Sequence, residues 1–121
     1  MRTIEQEISA LVEVANRRRS ISFLLTGWDR LFVLRVGDYE IGIESSGGRA
    51  RVVAPPPRQG DVWFGLSERT LDLLISGRLS PFTARVSGRL QSKGPVTDIL
   101  RFASVFTACV RQRRVLDLVV G

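Results

Sequence analysis

The stretch DVWFGLSERTLDLLISGRLSPFTARVSGRLQSKG, residues 61–94, carries the signals that decide the fold. It opens with alternating apolar residues, which predict a strand over 61–66. Ser67 is suited to cap a helix with an apolar stripe over 68–76, and Gly77 is suited to end that helix. A strand followed at once by a capped helix predicts a protein that mixes α and β elements.

The end of this stretch, residues 82–94, alternates polar with small or apolar residues, which predicts another strand. Its predicted inward residues are Ala84, Val86, Gly88 and Leu90. A glycine within a strand indicates a bend or the close approach of another group, which here is either a helix or a bound ligand. Arg85, Arg89 and Lys93 then face outward, where we expect solvation alone or a surface for an anionic membrane or a protein partner.

Segments on both sides extend the same pattern. TIEQ at 3–6 matches a capping box and predicts a first helix, and three strands are predicted over 31–36, 39–44 and 49–54. Pro95 is placed to begin a last helix with a broad apolar stripe. The order predicts one α+β domain over 1–121, with an antiparallel-rich sheet covered by helices on one face.

Composition restricts the chemistry. The 121 residues contain no histidine and one cysteine, which excludes an internal disulfide, most transition-metal sites and histidine-based nucleophile pairs. We therefore predict no catalytic residues, no metal, no cofactor and no enzymatic activity, and an inert buried thiol at Cys109. No apolar run approaches the ~18 residues of a membrane span, and the amino-terminal segment carries acids, so the expected location is the cytoplasm.

The net charge of +6 comes from residues 78–121, which hold eight Arg and Lys against two acids. Nucleic-acid binding is one interpretation of this excess. The aromatic residues that could stack on bases, Trp28, Tyr39 and Trp63, are scattered along the chain, which argues against that interpretation.

With Ser67, Gly77, Pro81, Gly88 and Gly94 at these offsets, residues 61–94 resemble the sterol carrier protein type-2 family, and the resemblance extends over 20–107. It implies a five-stranded, mostly antiparallel sheet with an apolar tunnel between sheet and helices. The tunnel would hold a fatty acyl, sterol-like, quinone or polyketide-like molecule. The triple proline, Ser92 in place of an aliphatic residue and the lack of a terminal Ser-Lys-Leu favour a bacterial-type, stand-alone member.

The residues that we expect to line the tunnel are Phe64, Leu66, Leu71, Leu74, Leu79, Phe82, Val86, Gly88, Leu90, Ile99, Phe102 and Phe106. The competing interpretation is that Phe82, Phe102 and Phe106 simply fill the core. The predicted function is non-catalytic binding and transfer, or presentation, of an apolar ligand. The alternatives are an accessory subunit of a biosynthetic enzyme, a small enzyme acting on an apolar substrate, and a module that forms homodimers through the carboxyl-terminal VLDLVV segment.

Overall fold

The computed structural model describes residues 3–120, with the side chains of residues 3–115. Within that range the chain forms five α-helices, one 3₁₀ turn and five strands. The helices are α1 (Ile4–Arg17), α2 (Arg19–Ser22), α3 (Glu68–Ile75), α4 (Pro81–Val86) and α5 (Val96–Val120), and the 3₁₀ turn is Phe23–Leu25. The strands are β1 (Arg30–Val36), β2 (Tyr39–Ser46), β3 (Arg49–Val53), β4 (Val62–Leu66) and β5 (Leu90–Lys93). The predicted α+β class is confirmed.

The five strands form one sheet in the order β3-β2-β1-β4-β5. β1 pairs parallel with β4, and the other three pairings are antiparallel. The predicted mostly antiparallel, five-stranded sheet is therefore confirmed. The parallel pair arises because the connector at 54–61 carries the chain from the edge strand β3 back to the far side of β1.

Both faces of β1 are buried, for different reasons. Phe32 and Leu34 belong to the core under the helices. Val33 points to the opposite face and is also buried, because the proline-rich connector crosses that face. The contact is close, since a Cβ atom placed on Gly60 would lie 2.7 Å from Val33 Cγ2. The connector thus replaces a second layer of helices over the middle of the sheet.

α1 begins with the predicted capping box. The Gln6 backbone N–H donates to Thr3 Oγ1 over 3.2 Å, and the Thr3 N–H donates to Gln6 Oε1 over 2.9 Å. Asn16 then fastens α1 to the edge strand through two hydrogen bonds with the backbone of Ala50, at 2.7 and 2.8 Å. Glu7 and Arg113 form an ion pair at 2.8 Å, which joins α1 to α5.

The predicted strand over 82–94 is wrong in its first half. Pro81–Val86 is the short helix α4, capped by Ser80, whose Oγ accepts from the Thr83 N–H over 3.1 Å. Gly88 has a φ of +79° and follows the end of this helix, where the Arg89 N–H donates to the Ala84 carbonyl over 2.8 Å. This is a helix-ending hydrogen bond, and it requires the left-handed conformation that glycine adopts without strain. β5 starts only at Leu90.

α5 extends to Val120, which is longer than its apolar stripe predicted.

No helix among residues 3–120 has the length and apolar character to cross a bilayer. Of the VLDLVV segment at 115–120, which we considered as a pairing surface, only Val115 has a described side chain, so that hypothesis concerns residues outside the described side chains.

A buried carboxylate anchors the start of α5 to β1 and to the residues just before that strand. Asp98 Oδ1 accepts from the Trp28 indole N–H over 2.9 Å, and Oδ2 accepts from Arg30 Nε over 3.0 Å. Asp98 is only 6 % exposed. The hydrogen bond from Trp28, together with the bond and charge of Arg30, holds the pKa of Asp98 below its usual value, although burial acts in the opposite direction. The carboxylate therefore stays charged and stabilises the fold at neutral pH.

We predict that Asp98→Ala lowers the free energy of unfolding by about 2–3 kcal/mol, because it leaves the buried Trp28 N–H without a partner. Asp38→Ala is the matched control, since Asp38 is exposed in the β1–β2 turn, and its effect is expected to stay within about 0.5 kcal/mol. Urea denaturation measures both. The Asp98 contribution is present above the unfolded-state pKa of about 4 and is lost as the pH falls through the lower folded-state value. If the difference in the free energy of unfolding between wild type and Asp98→Ala were as large in acid as at neutral pH, this account would be contradicted.

Cys109 lies on the buried side of α5 and is 4 % exposed. Burial raises the pKa of its thiol to about 12, so the thiolate that reacts with electrophiles is scarce at neutral pH. We expect a water-soluble disulfide reagent at pH 8 to leave native protein unmodified over minutes and to label one thiol after denaturation. Rapid labelling of the native protein would show that this part of the core opens.

Candidate functional site

A cavity of about 370 Å³ lies between the sheet and the helices α3, α4 and α5. It has the size typical of small-molecule pockets. Of its sixteen lining residues, fourteen are apolar: Leu34, Phe64, Leu66, Leu71, Leu74, Pro81, Phe82, Val86, Leu90, Ile99, Leu100, Phe102, Ala103 and Phe106. The other two are Arg85 and Ser92. We call this space the main cavity.

The strand register brings the sheet side of the main cavity together. β4 and β5 are antiparallel, with Phe64 opposite Ser92 and Leu66 opposite Leu90. Successive residues in a strand point to opposite faces, so these four side chains share the face under the helices. β5 is an edge strand of only four residues, and the short α4 packs beside it.

Exposure separates the floor of the main cavity from its rim. Phe64, Leu71 and Ile99 are buried and form the floor. Three apolar lining residues are exposed, namely Phe82 (73 %), Val86 (74 %) and Leu100 (54 %). These three, together with the exposed Arg85, are called the rim. The cavity therefore opens to the surface between α4 and α5 through a mouth of apolar side chains.

Ten of the twelve residues predicted to line the tunnel border the main cavity, and Leu79 and Gly88 do not. Leu79 lies in the loop after α3, where its N–H donates to the Leu73 carbonyl over 3.2 Å. A Cβ atom added to Gly88 would have no heavy atom within 4 Å. The expectation that Gly88 makes room for a ligand is wrong, because its role is to end α4.

Of the three bases predicted on one surface, two share a face of the sheet and the third does not. Arg85 belongs to the rim, on the helical side of the sheet. Lys93 lies on the opposite face, where its Nζ sits 5.2 Å from the centre of the Trp63 ring. Arg89 lies on the same face as Lys93, in a shallow depression that it borders with Gln91 and with the Trp63 ring. The predicted outer surface is wrong for Arg85 alone, because residues 81–86 are helical.

Six lining residues were absent from the predicted set: Leu34, Pro81, Arg85, Ser92, Leu100 and Ala103. Leu34 follows from the alternation of β1 once that strand is placed beside β4. Leu100 and Ala103 each lie one position away from a predicted residue on α5, so a wider helical face would have included them. Arg85 and Ser92 are polar, and apolar patterning carries no signal for such positions.

The interpretation in which three phenylalanines fill the core is wrong for Phe82 and holds in part for Phe102 and Phe106, which pack against the core and also line the main cavity. The Phe102 ring packs between Phe32 and Phe64, with ring centres 4.7 and 4.8 Å apart. Phe82 is exposed at the rim, whereas Phe102 and Phe106 are both half-buried beside the main cavity. Behind Phe102 lies a second space of about 50 Å³, the inner cavity, which shares Leu34, Phe102 and Phe106 with the main cavity.

Two serine hydroxyls near these spaces lack a hydrogen-bond partner among the described residues. Ser92 lines the main cavity and Ser45 lines the inner cavity, and both Oγ atoms are screened from solvent. Among the residues whose side chains are described, no three His, Cys, Asp or Glu side chains are grouped as a metal site would need. The lining of the main cavity is therefore suited to bury the apolar surface of a ligand, and it offers that ligand few polar contacts.

Comparison with known proteins agrees with this geometry. Residues 7–107 match the model of the SCP-2 sterol transfer family. The fold is similar to that of a UbiJ-SCP2 ubiquinone synthesis protein, with a TM-score of 0.67 and 14% identity over 88% of this chain and 90% of that one. It is also similar to the sterol carrier protein domain 2 of Helicoverpa armigera, with a TM-score of 0.70 and 19% identity over 83% of this chain and 82% of that one.

A third similar structure is the conserved protein TT1886 of Thermus thermophilus, described as a possible sterol carrier protein. Its TM-score is 0.63 at 16% identity, over 93% of this chain and 89% of that one. No curated protein sequence matches the chain significantly. The family match covers most of the chain, and the predicted resemblance is confirmed: the chain belongs to the SCP-2 sterol transfer family.

Proposed function

We propose that this protein binds an apolar ligand in the main cavity, without catalysis, and transfers or presents it in the cytoplasm. The observation that carries the proposal is a cavity of about 370 Å³ whose lining is apolar at fourteen of sixteen positions. Membership of a sterol transfer family supports it. The ligand classes considered are fatty acyl chains, sterol-like molecules, quinones and polyketide-like molecules.

The energy of burial is sufficient for such binding. Each buried CH₂ contributes about 0.8 kcal/mol, so a chain of ~14 carbons offers roughly 11 kcal/mol before the costs of ordering and association. Micromolar affinity requires about 8 kcal/mol. An apolar chain can therefore bind with useful affinity without a charged anchor.

Likeness to the UbiJ-SCP2 protein, which is described as a ubiquinone synthesis protein, supports a second candidate role. In that role the protein presents a quinone-like or related lipid to a biosynthetic enzyme. The exposed apolar rim suits both roles, because a partner enzyme or a membrane would cover it while the ligand passes. Extraction and mass spectrometry of material bound to the purified protein would identify the ligand and separate these roles.

Filling the main cavity tests the proposal directly. Ala103 lines the cavity on α5, and the neighbouring Ser104 is exposed on the same helix. We expect Ala103→Trp to weaken binding of a fluorescent fatty acid at least tenfold, a change of about 1.4 kcal/mol, because the indole occupies ligand space. Ser104→Trp is the matched control, with expected affinity within about twofold of wild type.

Fluorescence titration measures both affinities, and circular dichroism checks that both variants fold. Equal affinity of the folded Ala103→Trp and Ser104→Trp variants would place the ligand outside the main cavity. Absence of any fatty acid binding to wild type at tens of micromolar, together with native mass spectra of bare protein, would overturn the proposed function.

We propose in addition that the rim meets an anionic membrane surface. Poorly soluble ligands enter and leave most readily from a bilayer, and the rim exposes Phe82, Val86 and Leu100 beside Arg85. Arg85 is the basic residue of this rim, and its positive charge suits anionic lipid. This combination of apolar and basic side chains is typical of interfacial contact.

Arg85 and Lys93 lie on different faces of the molecule, so the two residues provide a matched test. We expect Arg85→Gln to weaken cosedimentation with phosphatidylserine-containing vesicles about fivefold, since each base near such a surface contributes about 1 kcal/mol. Lys93→Gln is the control, because Lys93 faces away from the rim over Trp63. Higher salt should weaken wild-type binding. Equal binding to neutral and anionic vesicles, or equal loss in the two variants, would contradict membrane docking through the rim.

A further inference from the structure

Ser92 is the one uncharged polar side chain in the lining of the main cavity, as far as the described residues show. Its position is fixed by β5, where it faces Phe64 across the pairing with β4 and lies on the same face as Leu90. The other residues from the sheet that line this cavity are leucine or phenylalanine. A serine at this position adds little apolar surface, so its hydroxyl is the feature to explain.

The Ser92 hydroxyl is left without a partner. Its Oγ atom is screened from solvent and makes no hydrogen bond with any described residue. Serine hydroxyls at the ends of the neighbouring helices do find one, as Ser67 does with Thr70 and Ser87 with the Ala84 carbonyl. A buried hydroxyl without a partner destabilises a fold by a measurable amount. Such a group in a native cavity indicates a bound molecule or an ordered water that pairs with it.

Ser45 provides a contrast. Its Oγ atom is also unpartnered, but it faces the inner cavity of about 50 Å³. A space of that size holds water and little else, so a water molecule suffices for Ser45. The main cavity is several times larger and opens at the rim, so a ligand can lie against Ser92, and rotation of the serine side chain about χ1 would turn its hydroxyl toward that ligand.

We propose that Ser92 selects ligands that carry an oxygen function within the apolar part of the molecule, over plain hydrocarbon chains. This inference rests on the proposed function and deepens it by naming the class of ligand. A hydroxyl group both donates and accepts, so a hydroxyl or a carbonyl on the ligand would pair with it. A plain alkyl chain at the same place would displace water from Ser92 and leave the hydroxyl unpaired, which disfavours that chain.

Arg85 does not fulfil this role. It is exposed at the rim, where a charged head group would remain close to water. Ser92 is screened from solvent on the sheet side of the same cavity. The two polar groups therefore address different parts of a ligand, and the oxygen function that Ser92 recognises is additional to any anionic end group.

The test uses myristic acid and a set of monohydroxymyristic acids that carry the hydroxyl near the carboxyl end, in the middle or near the methyl end. Each acid displaces a fluorescent fatty acid from wild type and from the Ser92→Ala variant. We expect one hydroxyl position at which Ser92→Ala weakens binding about fivefold, as a neutral hydrogen bond predicts. Myristic acid itself should bind Ser92→Ala at least as tightly as wild type, because the variant has no hydroxyl to leave unpaired, and the other positions should lose less than about twofold. Ser92→Thr keeps the hydroxyl and should restore the preference.

Two results would overturn the proposal, and they have different meanings. If the acids bind wild type but Ser92→Ala changes all of them equally or none of them, the assignment of Ser92 is wrong while the proposed function stands. If none of the acids binds wild type, the proposed function fails and the selectivity fails with it. Thermal denaturation of Ser92→Ala without ligand provides the folding control, since loss of an unpartnered hydroxyl should leave stability unchanged or raise it.

Discussion

The hydrogen bonds of the Asp98 carboxylate set the position of α5, the helix that lines one side of the main cavity. Through Trp28 and Arg30 they hold the first turn of α5 against the start of β1. Four residues later in sequence, about one helical turn, Phe102 reaches the sheet and packs between Phe32 and Phe64. Arg101 strengthens the same corner, because its guanidinium lies 4.7 Å from the centre of the Trp28 ring. α5 is therefore fixed at one end and held off the sheet by an aromatic ring.

The main cavity exists because the elements on the far side of Phe102 are too short to fill the space. α3 has eight residues and α4 has six. α4 directs the small residue Ala84 inward, while its large side chains Phe82 and Val86 remain exposed at the rim. The residues of α4 that border the main cavity are Pro81, Phe82, Arg85 and Val86, and this short helix does not fill the space beside it.

Sequence patterns predicted the elements that have strong local signals. The capping box of α1 and the Ser67 cap each act within four residues, and both helices begin where predicted. Residues 82–94 failed because a spacing of four aligns side chains in a helix and in a strand alike. The Ser80-Pro81 pair is a helix-start signal, and Gly88 is suited to end a helix, but the six residues between them are too few to show a period.

The reach of local sequence patterns also explains which residues of the cavity lining could be predicted. Apolar lining residues such as Phe64, Leu71 and Ile99 were predictable, because burial and cavity lining have the same signature in sequence. Ser92 lies two residues after Leu90, so alternation places it on the inner face, but its polarity kept it out of the predicted lining. Arg85 could not be assigned, because a strand at that position places it on the outer face. The parallel pairing of β1 with β4 was likewise not predictable locally, since it depends on the path of the connector at 54–61 across the sheet.

The size of the main cavity links ligand binding to stability. Dry cavities destabilise proteins by about 24 cal/mol per Å³, so 370 Å³ left dry would cost roughly 9 kcal/mol. That value is comparable with the whole stability of a small domain. The open rim admits water, which removes the extreme cost but leaves fourteen apolar side chains wetted. A ligand that replaces this water stabilises the folded state by mass action, in proportion to the logarithm of its concentration over Kd. The main cavity therefore lowers the stability of the empty protein and, for the same reason, favours the binding of a ligand.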